Sequence, residues 1–325
     1  MPMVLAVAEA GENGLRKVSY EVTAQARLLA DAMGGEVTAL AITGAGGCAE
    51  AGALGAYGAD RVLIAADQTL AVFQGDHYAQ VVKAAIGQTG AGVVLFPATS
   101  AGRELAPRVA AALDGALASD CIAISWQEGG LTAQKPLYAG KVVAKVVLAG
   151  DLQMASLRPN VFTASLCRPG ATAPVEPLAL PPLAGRSLLK EVRRSDSGRL
   201  DVSEADVILC GGRGMRAPEN FALLEEIAAL LGGAVGATRA VVDAGWRPHS
   251  EQVGQTGKVV SPSLYIMCGA SGSIQHWAGM SGSRCIVAVN KDPNAPIMGR
   301  ADYSITGDLF EILPLLKEEI ARLRG

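Results

Sequence analysis

Short apolar runs bounded by glycine, asparagine or charged residues alternate with stretches of helical period from the first residues onward. Met3–Ala8, Glu36–Ile42, Arg61–Ala65 and Gly92–Pro97 read as strands, while Tyr20–Met33, His77–Ile86 and Thr99–Leu113 read as helices, with Cys48–Tyr57 a short alanine-rich one. Strands and helices in strict alternation predict a parallel sheet covered by helices on both faces. The pattern then changes. Ile122–Trp126, Leu131–Lys135, Lys141–Leu148 and Met154–Arg158 follow one another through glycine-rich or polar turns with no helix between them. Such runs predict antiparallel strands joined by hairpins at an edge of the first sheet. Pro174, Pro177, Pro181 and Pro182 then predict a linker, which divides the chain into residues 1–185 and 186–325.

The second half returns to alternation. Ala205–Cys210 reads as a buried strand, Gly211-Gly-Arg-Gly214 as a turn whose only cation is Arg213, and Glu219–Leu231 as a helix. After Gly233–Val235 come Thr238 and Arg239, Val241–Asp243, and then a polar loop from Gln252 to Lys258. Leu264–Cys268 and Cys285–Val289 are short strands buried on both faces, separated by Gly269-Ala-Ser-Gly-Ser273 and the helical stretch Ile274–Met280. The tail, Asp308–Leu323, is an amphipathic helix with its acids early and Arg322 and Arg324 late, as the helix dipole favours. The fold class is therefore α/β in two domains, each a mainly parallel sheet flanked by helices, the second Rossmann-like.

Strand, glycine loop, helix, strand is the unit in which backbone N–H groups can hold a phosphate, and it serves equally as a plain turn. Gln255, Thr256, Ser271, Ser273, Gln275, His276 and Asn290 form a set of neutral donors and acceptors beside few charges. That set suits a large, mostly uncharged ligand that also carries phosphates. The loop Phe96–Arg103 opens a helix too; Thr99, Ser100 and Arg103 would suit an anion, but a helix capped by Ser100 explains it better.

Composition narrows the possibilities. At 325 residues two domains are expected, and no apolar run approaches the roughly 18 residues of a membrane span. A net charge of −3 and 4% aromatic residues argue against a nucleic-acid partner. The six cysteines show no CxxC or metal-ligand spacing and read as buried, reduced thiols. The opening segment lacks the basic n-region of a signal peptide and the arginines of a presequence, so a cytoplasmic protein is expected if the source is bacterial, with the mitochondrial matrix as the eukaryotic equivalent.

Val253-Gly-Gln-Thr-Gly-Lys258, Leu264-Tyr-Ile, Gly269-Ala-Ser-Gly-Ser-Ile-Gln-His276, Ile286-Val-Ala-Val-Asn-Lys-Asp292, Ala295-Pro-Ile297 and Ala301-Asp-Tyr303 together resemble the signature of the electron transfer flavoprotein α subunit. Gly211-Gly-Arg-Gly214 and Thr238-Arg-Ala-Val-Val-Asp243 fit as well. The resemblance implies a heterodimer with a β subunit, in which the carboxy-terminal domain of this chain holds FAD and the partner holds AMP. It implies that Thr256 places its hydroxyl at flavin N5, that Arg213 lies near the isoalloxazine and that His276 lies beside the pyrimidine carbonyl. Gly254, Gln255, Ser271, Gly272, Ser273, Ile274 and Gln275 match residues around the ring, ribityl chain and pyrophosphate, and Thr238, Arg239 and Val253 complete that set. Asn290, Asp308 and Leu309 match residues toward the adenosine end. Thr238 stands where serine is common in the family, and Ser304 where glycine is common, which bears on the backbone near Asp308.

A family member of this kind carries electrons rather than acting as an enzyme in its own right. It accepts them from flavin dehydrogenases, such as acyl-CoA dehydrogenases, and passes them to a membrane quinone oxidoreductase without inserting into the membrane itself. An electron-bifurcating variant, with a second FAD in the partner and NADH as donor, fits the same α sequence. A non-redox nucleotide-binding regulatory module is what the bare strand and helix pattern permits. A nicotinamide dehydrogenase fits less well, because the first turn lacks GxGxxG and no acid follows Gly211 at the expected spacing.

Overall fold

The computed structural model describes residues 1–325 except 12, 13, 139, 188, 193–199 and 325. The chain divides into two compact units, one of Met1–Leu137 with Lys141–Arg194 and one of Ser195–Gly325 with Tyr138–Gly140.

In the first unit the elements run β1 (Met3–Gly11), β2 (Gly14–Leu15), α1 (Lys17–Met33), β3 (Glu36–Thr43), β4 (Arg61–Ala66), α2 (Gly75–Thr89), β5 (Val93–Pro97), α3 (Ser100–Leu113) and β6 (Ala116–Cys121). Next come β7 (Ala123–Gln127), β8 (Gly130–Leu137), β9 (Val142–Val147), β10 (Gln153–Leu157) and β11 (Val175–Pro177). Seven strands form a parallel sheet in the order β11-β4-β3-β1-β5-β10-β6, and β2 pairs antiparallel with β1. Alternate residues of β1 feed opposite cores: Val4, Ala6 and Ala8 pack with Val22, Ala26 and Leu29 of α1, while Leu5 and Val7 pack with Val81 and Val82 of α2 and Val109 of α3. A strand buried on both faces reads as an unbroken apolar run, which is why the sequence pattern located it.

Three expectations for this unit need correction. Residues 153–157 are not an antiparallel hairpin strand; β10 lies inside the parallel sheet, between β5 and β6. All five of its residues are buried, which a sheet-edge position would not allow, and the Gln153 carboxamide is satisfied by the Leu131 N–H and the Gly150 carbonyl. Strands β7, β8 and β9 form a separate three-stranded antiparallel sheet inserted between two parallel neighbours. β6 itself escaped the apolar pattern because it carries Ser119 and Asp120, the latter held by a bidentate pair with Arg158 at 2.6 and 3.0 Å. Second, Thr99 and not Ser100 caps α3, its Oγ1 accepting from the Gly102 N–H at 3.1 Å. Its hydroxyl also donates to Glu9, and Arg103 pairs with Asp120 at 3.6 Å, so Thr99 and Arg103 are engaged within the chain. Third, the proline stretch begins as the edge strand β11 paired with β4, where Pro177 lacks an N–H that an edge does not need.

The second unit contains β12 (Val207–Gly211), α4 (Ala222–Leu231), β13 (Ala234–Ala237), α5 (Arg239–Asp243), β14 (Leu264–Cys268), α6 (Ile274–Met280), β15 (Ile286–Asn290), β16 (Tyr303–Thr306) and α7 (Leu309–Arg324). Its five strands are parallel in the order β13-β12-β14-β15-β16. The chain starts in β12, crosses to β13 on one side and then returns to β14 on the other. The order therefore reverses beside β12, and the carboxyl ends of β12 and β14 flank the crevice in which open α/β sheets bind ligands. Here too alternate residues divide between two cores. Leu209, Ile266 and Val289 pack against Phe221, Leu224 and Ile227 around α4 and Leu313 of α7; Ile208, Tyr265 and Met267 pack against Val253 and Met280.

The segment leading into the Gln252 loop is held by charge. Arg247, with a side chain only 7% exposed, donates Nε to Glu251 at 2.6 Å and Nη1 to Glu225 on α4 at 2.7 Å, and its guanidinium lies over the Phe221 ring. Removing the cation would strand buried carboxylate. Arg247→Ala is expected to lower stability by about 3–5 kcal/mol, measured by urea unfolding of the isolated chain; a loss below about 1 kcal/mol, the range of a solvated pair, would show that the ion pair does not hold this segment.

Candidate functional site

Three loops leave the carboxyl ends of β12, β13 and β14, and they meet because glycine lets backbone touch backbone. The Gly212 N–H donates to the Cys268 carbonyl and the Gly214 N–H to the Gly269 carbonyl, both at 2.8 Å. A Cβ on Gly214 would lie 2.6 Å from Gly269 Cα, so no other residue fits there without displacing one loop. On the opposite side α6 docks on the Gln252 loop: a Cβ on Gly279 would lie 2.3 Å from Gly254 Cα. The Gln255 N–H donates to the Gln275 carbonyl at 2.8 Å, and the Val253 N–H reaches back to the carbonyl of Ala237 at the end of β13.

These contacts enclose a cleft of about 560 Å³, within the range typical of small-molecule and cofactor sites. Of the residues expected at the site, Arg213, Thr238 and Arg239 line it, as do Val253 to Thr256, Ser271 to Ser273, Gln275 and His276. Twelve positions from four separated stretches of sequence thus share one wall or another of a single cavity. Ala240, Asp243, Gly269 and Ala270 also line it. Asp243 had a sequence signal, since it stands four residues after Arg239 on one helical face, and the two pair at 3.3 Å. Ala240 and Ala270 had none, because small apolar residues carry no chemistry that a pattern could single out.

The other expected residues lie elsewhere. Ile274 opens α6 with its side chain 55% exposed and outside the lining. Asn290 is buried under the glycine loop, donating from Nδ2 to the Ala270 carbonyl at 2.9 Å and accepting from the Asp292 N–H. Asp308 caps α7 by accepting from the Phe310 N–H and pairs with Arg216 at 2.8 Å; the first bond chiefly and the ion pair next hold its carboxyl below the usual range. Leu309 is a core residue directly beneath Gly269. Asn290 and Leu309 therefore support the glycine loop from behind. Ser304 occupies β16 in ordinary strand pairing with Ala288, and its hydroxyl donates to the Met298 carbonyl at 2.6 Å.

Two side chains present unused hydrogen-bonding capacity to the cleft. Arg213 is exposed and has no ion-pair or hydrogen-bond partner among the described residues. Thr256 accepts at Oγ1 from the Gln252 carboxamide at 3.0 Å, which leaves its hydroxyl proton available as a donor. His276 is different in kind: it is buried, its Nε2 lies 2.8 Å from the Tyr265 hydroxyl, and its Nδ1 has no hydrogen-bond partner. Burial pushes the imidazole pKa down to about 4, against a weaker pull from the Val253 backbone, so the ring is neutral at physiological pH. A buried ring nitrogen that lacks a side-chain partner is costly unless backbone or a ligand completes it. The isoalloxazine edge of FAD carries carbonyl and ring-nitrogen acceptors, and together with Arg213 and the Ser271–Ser273 loop the donor set fits that cofactor.

Among the described residues no helix is long and apolar enough to cross a membrane, and no cluster of three or more His, Cys, Asp or Glu is placed to hold a metal. Residues 4–183 match the electron transfer flavoprotein domain, and residues 201–281 match the electron transfer flavoprotein FAD-binding domain. The chain is 41% identical to the electron transfer flavoprotein subunit alpha of Bacillus subtilis, over 98% of either chain. It is also 41% identical to protein FixB of Clostridium saccharobutylicum, over 95% of this chain and 93% of that one. A third relative, the electron transfer flavoprotein subunit alpha of Megasphaera elsdenii, shares 40% identity over 99% of this chain and 97% of its own.

Because the folded pKa of His276, about 4, lies below its ordinary value of 6.5, the unfolded chain takes the proton first on acidification. The contribution to stability is complete above the unfolded pKa and is lost as pH falls from there toward 4. This one group is expected to remove about 2 kcal/mol by about pH 5. Urea unfolding of the ligand-free chain at neutral and mildly acid pH measures it, with His276→Gln as the control. Equal losses in wild type and variant would mean that the imidazole is not buried neutral.

Proposed function

This chain belongs to the electron transfer flavoprotein family as an α subunit, and from that premise we propose that it is a redox carrier whose cleft at the β12/β14 crevice holds one FAD. The observation that carries the proposal is the meeting of Arg213, the Val253–Thr256 loop, the Ser271–Ser273 loop, Gln275 and His276 on one cavity. FAD, when bound, supplies the reversible electron chemistry, and the protein supplies orientation and electrostatics. Thr256 would donate its free hydroxyl proton to flavin N5. His276 would donate to the pyrimidine carbonyl, and Arg213 would lie close to the isoalloxazine. Backbone N–H groups and hydroxyls of Ser271, Gly272 and Ser273 would hold the ribityl chain and pyrophosphate, with Thr238, Arg239, Gly254, Gln255 and Gln275 around them. Asn290, Asp308 and Leu309 would belong to the adenosine end, with Asn290 and Leu309 acting through the glycine loop that they support.

Reduction places negative charge on the pyrimidine side of the flavin, so donors and cations there raise its potential. A charge-assisted hydrogen bond contributes on the order of 1.5–3 kcal/mol, and roughly 59 mV changes a one-electron equilibrium tenfold. Arg213 is exposed, and solvent screening brings its share down to tens of millivolts. The chain's role requires no nucleophile or acid/base pair of its own, which suits a carrier rather than an enzyme.

The proposal extends to a β subunit as partner, itself holding AMP, and to a cytoplasmic location. Flavin dehydrogenases such as acyl-CoA dehydrogenases would be the donors and a membrane quinone oxidoreductase the acceptor. Two domains, 1–185 and 186–325, would divide the work, the second carrying the cofactor.

Co-expressed with its β subunit, the chain should purify as a yellow heterodimer with one FAD per α subunit; a colourless chain recovered from that co-expression without the β subunit would sink the proposal. A second FAD per heterodimer would assign it to the bifurcating class. Arg213→Ala should lower the flavin's one-electron potential by about 20–60 mV while leaving FAD content intact, read by spectroelectrochemical titration; an unchanged potential would remove Arg213 from the ring.

A further inference from the structure

Behind the cleft wall, on the sheet side of α6, three buried side chains stand in sequence. Tyr265 of β14 is fully buried, and its hydroxyl lies 2.8 Å from His276 Nε2. Cys210 of β12, also fully buried, interacts with the phenol, and its Sγ lies 3.9 Å from the same nitrogen. Burial pushes the thiol up to about 12 and the phenol upward as well, so both keep their protons.

The protons in this row can point in only two consistent directions. In one, the thiol donates to the phenol oxygen, the phenol O–H donates to Nε2, and the imidazole carries its proton on Nδ1. In the other, Nε2–H donates to the phenol, the phenol donates to sulfur, and the thiol proton is left without a strong acceptor. Sulfur is a weak acceptor and an sp² nitrogen a strong one, so the first arrangement makes an O–H···N bond where the second settles for O–H···S. Only the first also gives Nδ1 a proton to offer, and the Val253 backbone, which favours a protonated ring nitrogen, acts in the same direction.

We propose that Tyr265 is a positioning residue for His276: its hydroxyl donates to Nε2 and fixes the imidazole as the neutral Nδ1–H tautomer, presenting a donor to the acceptor edge of the flavin. The proposal rests on the FAD assignment above for its consequence, and on the buried row alone for the tautomer. Without the phenol O–H, Nε2 faces only a thiol, the two tautomers become comparable, and part of the population turns an acceptor lone pair toward the flavin carbonyl. That population stabilises the reduced flavin less.

The test is two-bond proton–nitrogen NMR of histidine-labelled heterodimer, flavin-free and FAD-loaded. The chain holds three histidines, so His276→Gln assigns the signal without ambiguity from this subunit. The wild type should show a protonated Nδ1 and an unprotonated Nε2 in both states. Tyr265→Phe should give mixed or reversed tautomers and lower the one-electron equilibrium on the order of tenfold, or 59 mV, with FAD content unchanged. Cys210→Ala should leave the tautomer in place, since the O–H···N bond survives. A wild-type spectrum with protonated Nε2 overturns the proposal even if no variant folds, as does a Tyr265→Phe protein with wild-type tautomer and potential. Failure to bind FAD, with the tautomer as expected in the flavin-free state, would instead overturn the cofactor assignment alone.

Discussion

The site depends on two places where main chain lies directly on main chain: Gly214 against Gly269, and Gly254 against Gly279. A single methyl at Gly214 or Gly279 would intrude to 2.6 Å or less on the facing Cα. These approaches close the distance between loops that leave three different strands, and they let the N–H of Gly212 and that of Gly214 be satisfied across the gap. The parallel sheet brings the loops to one edge, since its strand order reverses beside β12. The glycines then convert a shared edge into a walled cleft.

Within that cleft Arg213 and His276 work by different physics. Arg213 is a full charge in solvent, so its field is screened and adjustable by ionic strength. His276 is a dipole in a buried setting, where an N–H bond is stronger because water does not compete and where an unpaired N–H is costly. Burial lowers the imidazole pKa to about 4, which keeps the ring from becoming a cation across the physiological range. A cation at that depth would cost desolvation.

Much of the fold was legible because local pattern carries it. The limits of β14 and α6 coincide with the apolar run Leu264–Cys268 and the helical stretch Ile274–Met280. Where the pattern failed, it failed for long-range reasons. β6 carries Ser119 and Asp120, whose polarity is accommodated by Arg158 far along the chain and by a sheet-edge position. β10 looks like the fourth member of a hairpin series, and nothing in Gln153–Leu157 itself says that its neighbours are β5 and β6. Helix α5, five residues long, and the exposed strand β16 are too short to generate a period. The site was legible mainly as resemblance, with twelve of the sixteen residues so chosen lining one cavity. Asn290, Asp308, Leu309 and Ile274 carry the same family pattern without lining the cleft; for Asn290 and Leu309 the reason is that a motif records the residues that support a loop alongside those that form its surface.

The sequence by itself determined the two α/β halves, most of their strands and helices, and the stock of neutral donors in the loops after β13 and β14, since strand period, helix period and turn residues act over a few positions. The tertiary structure decided which strands became neighbours, that His276 would be buried and Arg213 exposed, and that Tyr265 and Cys210 would stand behind the imidazole. Each of those outcomes turns on groups that lie far apart along the chain. Pairing partner, burial and the direction of a proton are properties of what surrounds a residue after folding, and no local pattern encodes them.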